Sequence, residues 1–201
     1  MQVHAAALFS DGDQAGRGQA AHGLWLDGMQ QSQPALGAVA FSPCGRYRWW
    51  LQRLWAPERP CLLFIGLNPS RADGRRDDPT LRRLLGFADR WGYGSLEVLN
   101  LFSRISASPL LLRRAADPVG SETDAWIRSR LSAQPQAPLW LGWGNRGAWQ
   151  GRDQVVRALL VGRVCLQLGT TVSGQPCHPL YQPAGALLRF ALAQSGTSGA
   201  S

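Results

Sequence analysis

The stretch CLLFIGLNPS, residues 61–70, decides the fold. Its first six residues form an unbroken run of apolar and small side chains that ends at a turn signal. Such a run marks a strand buried on both faces, and so a parallel sheet covered by helices. Gly66 lets the backbone turn sharply or come close to a ligand. Pro69 has no N–H to donate and cannot prolong a sheet ladder. Asn68 is therefore expected just past the carboxyl end of a central strand, where open α/β sheets place their ligands. Taken alone, the same residues also fit a strand followed by an ordinary Asx-Pro turn.

Working downstream, strand and helix alternate. Asp78 suits an N-cap and Pro79 the first helical position, Leu81, Leu84, Leu85 and Ala88 repeat at helical spacing, and Gly92 is a stop. Residues 95–102 read as a second buried strand whose Asn100 is out of character for a core. A helix over 121–133 follows, with Ser121 and Asp124 at capping-box spacing. Residues 138–144 form a third strand, 153–161 a third helix and 163–168 a fourth strand. A Gly/Pro-rich loop over 169–183 carries His178, and a last helix is expected over 184–194. Upstream, residues 38–41 and 46–55 read as a strand pair around a Ser42-Pro43-Cys44-Gly45 turn. The short connection at 56–60 suggests that the next strand lies antiparallel beside that pair. The pattern predicts an α/β fold: three layers, α/β/α, around a mostly parallel four-stranded sheet, plus the N-terminal antiparallel strand pair. Residues 37–194 are expected to form one domain, with a loosely ordered segment at 1–36 and a disordered tail at 195–201.

The composition bounds the partners. The chain has 201 residues, 45% of them hydrophobic, which suits one globular domain. No apolar stretch is long enough to cross a membrane, and the first residues lack the basic and apolar regions of a secretion signal, so a cytoplasmic location is expected. The four cysteines, Cys44, Cys61, Cys165 and Cys177, include no CxxC pair, which favours reduced core thiols over disulfides or a metal site. Net charge is +8, and all 21 basic residues are arginine. A coding bias toward arginine explains the absence of lysine but not the positive total. An excess of guanidinium points to polyanions, most often nucleic acid.

Each of the four buried strands ends in a polar or Gly/Pro-rich segment: Gly66-Leu67-Asn68-Pro69-Ser70, then Asn100, then Trp143-Gly144-Asn145-Arg146, then the loop holding Cys177-His178-Pro179-Leu180-Tyr181. In a parallel sheet these ends meet on one edge, and that crevice is the default site. Singly, each residue has a plain structural explanation. Asn100 can cap a loop, His178 can be a packed loop histidine, Asn145 a turn residue, and Arg71, Arg75 and Arg76 a solvated face. Their joint order is the signal.

That order resembles the uracil-DNA glycosylase superfamily. The superfamily has a strand running into G-x-[DN]-P, here Gly66-Leu67-Asn68-Pro69. A later strand ends in a base-reading Asn, here Val98-Leu99-Asn100. A strand of the form apolar-apolar-W-G follows, here Leu141-Gly142-Trp143-Gly144, and then a loop with a catalytic His, here His178-Pro179-Leu180. The resemblance covers about residues 60 to 190. More closely, the chain is similar to a bacterial and phage family known only as a domain of unknown function, through phrases such as FSPCGRYRWWL, DDPTLRRLLGFA and WGYG.

The resemblance implies roles residue by residue. Asn68 would position the water that attacks C1′ of a flipped nucleotide, as in the mismatch-type enzymes rather than the Asp-using ones. His178 would stabilise charge on the departing base. Asn100 would read the base edge, with Phe87 or Trp91 stacking on the base. Leu180 or Tyr181 would fill the gap left in the duplex. Ser70, Arg71, Arg75, Arg76, Asn145 and Arg146 would hold nucleic acid. No metal or organic cofactor is implied, and no obligate protein partner. Ser70 stands where many uracil enzymes carry a bulky aromatic, and His178 is followed by Pro-Leu-Tyr rather than Pro-Ser, so a modified or damaged base fits as well as uracil. The expectation is a DNA-binding repair hydrolase that cleaves an N-glycosidic bond. A non-catalytic nucleic-acid-binding module and an enzyme on small phosphorylated nucleotides remain as alternatives.

Overall fold

The computed structural model describes residues 36–69 and 77–191. The expected N-terminal segment (save Leu36), the C-terminal tail, and Ser70, Arg71, Arg75 and Arg76 lie outside the described residues. One sheet organises the rest. Its strands are β1 (Leu36–Phe41), β2 (Arg48–Leu54), β3 (Cys61–Gly66), β4 (Ser95–Asn100), β5 (Leu139–Leu141), β6 (Cys165–Gln167) and β7 (Arg189–Phe190), in the spatial order β1-β2-β4-β3-β5-β6-β7. The helices are α1 (Pro79–Arg90), α2 (Pro109–Arg113), α3 (Thr123–Ala133) and α4 (Arg152–Leu159). The four inner strands β4, β3, β5 and β6 are parallel, as the apolar runs predict. Antiparallel strands extend both edges.

The period of two along β3 divides its side chains between two apolar clusters. Leu62 and Phe64 pack with Leu81, Leu84, Leu85, Phe87 and Ala88 of α1 and with Trp140 of β5. Leu63 and Ile65 pack with Leu112 of α2, Ile127 and Leu131 of α3, and Val156 of α4. α1 begins where the sequence places it: Asp78 accepts from Leu81 N at 2.8 Å, with Pro79 in the first turn. α3 starts one residue later than the Ser121 cap implies, with Glu122 at the N-cap and no side-chain cap bond. The five-residue α2, capped by Ser108, is an addition to the expected elements.

Two expectations are corrected. β2 does not lie beside β3; it pairs antiparallel with β4, which is inserted between them. The connection after β2 straddles the start of β4. Trp55 N and Ala56 N both donate to Gly94 O, and Gly94 N donates to Pro60 O. A Cβ at Gly94 would sit 1.8 Å from Ala56 O, so only glycine admits this wrap. The helix expected over 184–194 is replaced, within the described residues, by a turn and by β7, which pairs with β6. Ala191 N donates to Cys165 O, so the short segment satisfies an edge of the sheet that a helix would leave open.

Candidate functional site

The carboxyl ends of the parallel strands open onto one cleft of about 580 Å³. The backbone ladder continues a little past the strands. Leu101 N donates to Gly66 O, Phe102 N to Leu67 O, and Gly142 N to Ile65 O. The loop after β6 is tied in by Gly144 N to Pro176 O and Cys177 N to Gly169 O, each at 2.9 Å. Asn68, Asn100 and His178 all line the cleft, as do Asn145, Arg146, Leu180 and Tyr181. Phe64, which is 2% exposed, lines it as well. A Cβ would stand 2.9 Å from the Phe64 ring at Gly66 and 2.6 Å from it at Gly142. The two glycines therefore make the slot in which this ring lies.

Asn68 is held by its own amide. Its Nδ2 donates to Pro69 O at 3.0 Å and to Ser106 O at 3.1 Å, which uses both amide hydrogens. Its Oδ1 is left as an acceptor, and a carboxamide neither gains nor loses a proton near neutrality. Asn100 closes β4 and is 4% exposed, yet its Nδ2 has no hydrogen-bond partner among the described residues. A buried donor without a partner calls for an explanation, and a ligand in the cleft it lines supplies one.

His178 caps a one-turn 3₁₀ segment, and its Nδ1 accepts from Leu180 N at 3.3 Å. That bond places the ring hydrogen on Nε2, and burial pushes the imidazole pKa below its ordinary value. The ring is thus a neutral N–H donor. Behind it, Trp143 Nε1 donates to Gln175 Oε1 at 2.7 Å, and Gln175 Nε2 donates to Asp153 Oδ2 at 2.8 Å. This buried chain fastens the histidine loop to β5 and α4. On the other side, Arg83 reaches Gln182 O and joins α1 to the same loop.

Among the cleft residues beyond the expected set are Arg48 and Phe64. Arg48, at the start of β2, is 4% exposed and sits near the carboxylate of Asp78; burial lowers its pKa to about 10, so it stays charged. Its only sequence signal is an arginine inside an aromatic strand. Phe64 is indistinguishable by sequence from its apolar neighbours in β3.

Other expected residues are placed differently. Phe87 is fully buried, stacks on Trp91 at 5.0 Å, and meets Trp140 edge-on at 5.7 Å; neither Phe87 nor Trp91 lines the cleft. Asn145 accepts from Thr171 Oγ1 at the rim. Leu180 and Tyr181 stand 42% and 82% exposed beside it. Cys44, Cys61, Cys165 and Cys177 are free thiols. Among the described residues, no group of three or more His, Cys, Asp or Glu side chains is disposed to hold a metal ion, and no helix is long and apolar enough to cross a membrane.

No curated protein and no solved structure matches the chain. A family described as a protein of unknown function (DUF1643) matches residues 48–180, from Arg48 through Leu180, and so contains the cleft's asparagines and its histidine. On that match, which covers more than half of the sequence, the chain belongs to this family of unknown function.

Proposed function

We propose that the cleft receives a single nucleotide turned out of a nucleic-acid strand and hydrolyses its N-glycosidic bond, on a three-layer fold of the uracil-DNA glycosylase kind. One observation carries the reading: two strand ends and one loop converge so that an amide acceptor, an unpartnered amide donor and a neutral imidazole donor line one cavity together with an aromatic ring. In this scheme the base rests against Phe64, and Asn100 Nδ2 donates to its edge. Asn68 Oδ1 accepts one O–H of the attacking water and orients its lone pair toward C1′. The glycosidic electron pair leaves with the base, and His178 Nε2–H donates to the developing anion, an interaction of a few kcal/mol in a water-poor site. The water oxygen joins C1′, and its proton is released to solvent or to the base.

A second reading has a specific observation behind it. Asn68 cannot take a proton from water, so the cleft also suits a module that binds a turned-out base without cleaving it. A strand-scission assay separates the two. End-labelled oligonucleotides carrying uracil, hypoxanthine, mismatches or modified pyrimidines are incubated with the protein and treated with alkali. Cleavage at one base, lost in Asn68→Ala and His178→Ala, is the expected outcome. Binding without cleavage at any of these bases would replace excision with recognition alone.

A further inference from the structure

The cleft continues beyond its rim. Ser106 and Ala107 line one side of it, and the same two residues line a second groove of about 330 Å³. The far walls of that groove include Arg104, Leu111 and Arg114. The loop between β4 and α2 therefore borders both the cleft and an arginine-lined groove next to it.

Arg104 is preorganised. Its backbone bridges Tyr47, its N donates to Pro118 O at 3.2 Å, and its guanidinium lies 5.6 Å from the Tyr47 ring centroid. Tyr47 is in turn fixed by its hydroxyl, which donates to Asp117 O at 3.0 Å. Arg114 ends α2 and is exposed. Neither guanidinium forms an ion pair with a described carboxylate. Beside them α2 presents Leu110 and Leu111, 61% and 53% exposed. Two uncompensated planar cations next to an exposed apolar pair suit an alternation of phosphate and base, the chemistry of a polynucleotide strand.

We infer that this groove is the track of the strand on one side of the nucleotide held in the cleft. Arg104 and Arg114 bind its phosphates, and Leu111 lies against the neighbouring base. The inference rests on the proposal that the cleft takes a nucleotide of a nucleic acid, and it adds the direction in which that strand leaves.

The test compares wild type, Arg104→Ala/Arg114→Ala and Arg128→Ala. Arg128 is an exposed arginine on α3 that does not line the groove. The ligands are a fluorescent mixed-sequence single-stranded oligodeoxynucleotide and free thymidine monophosphate, with thermal melting to verify that each variant is folded. The double variant is expected to bind the oligonucleotide about tenfold more weakly per lost guanidinium contact. Its dependence of log affinity on log salt should fall by about 0.7 per contact. Its affinity for the mononucleotide should be unchanged, and Arg128→Ala should match wild type on both ligands. Wild-type oligonucleotide affinity in the folded double variant would overturn the track and leave the cleft proposal standing. Equal weakening by Arg128→Ala would also overturn it, because the effect would then be diffuse charge. Failure of wild type to bind either ligand would remove the cleft proposal and the track together.

Discussion

Burial decides what His178 can do. Its Nδ1 faces a backbone N–H, so protonating the ring would set two hydrogens against each other while placing a charge away from water. The fold favours the neutral form, and the folded pKa lies below the unfolded value of about 6.5. The sign of the linkage follows. Above about pH 6.5 both states are neutral and the group contributes no pH dependence. As pH falls below that value, the unfolded chain takes up the proton first, so stability declines until the folded pKa is passed. Urea unfolding at about pH 7.5 and about pH 5.5 should show a loss in wild type that is smaller in His178→Asn. An identical loss in both would mean that His178 titrates as freely folded as unfolded. The residues legible from sequence were of this kind. Asn68 and Asn100 each interrupt an apolar pattern where a strand ends, and His178 interrupts the Gly/Pro-rich loop that follows β6. Phe64 and Arg48 were not legible, because one continues an apolar run and the other is one arginine among several in an aromatic strand. Phe87 and Trp91 look like stacking surfaces in sequence, yet helical spacing turns them toward Trp140 and into the core.

At the scale of elements, the inner strands and α1 follow from local pattern, whereas the neighbour of β2 does not. A five-residue connection ordinarily joins adjacent antiparallel strands, and nothing local to it reveals that a third strand passes between. The information is held at a distance, in Gly94, whose missing side chain lets the Trp55 to Pro60 turn close around the start of β4. The atom a Cβ would strike is a backbone oxygen, which cannot swing aside as a side-chain tip can. Gly94→Ala is therefore expected to cost about 3 kcal/mol, seen as a lower denaturant midpoint. Gly86 is the internal control. It lies within α1, and a methyl group there would have nothing within 4 Å of it, so Gly86→Ala should raise stability by about 0.5–1 kcal/mol through helix propensity. Equal effects at the two glycines would dismiss the wrap as the reason for the strand order. β7 was hidden for a related reason: two residues of strand carry no period, and only the open edge of β6 makes them pair.

For the whole molecule, the net charge of +8 overstates the charge offered to a polyanion. Several arginines are structural. Arg53 pairs with Asp77, Arg130 makes two 2.7 Å bonds to the buried Glu97, Arg152 joins Leu101 O to Asp124, and Arg163 donates to the carbonyls of Leu131, Gln134 and Ala137. Arg48 is buried beside Asp78. Of the other described arginines, Arg104, Arg114 and Arg146 line the cleft or its groove, and Arg113 stands next to Arg114 at the end of α2. Their number sets the expected salt response. Four phosphate contacts on a single strand give a slope of log affinity against log salt of about −3, whereas eight would give nearly −6. Titrating an oligodeoxynucleotide at a series of salt concentrations measures this directly. A slope near zero, together with tight binding of a free nucleotide, would move the protein to chemistry on small phosphorylated molecules. A slope near −6 would mean that the strand follows arginines well outside the cleft and its groove. A slope near −3 that falls by about half when Arg104 and Arg114 are removed would match a strand held at a few points on either side of one captured base.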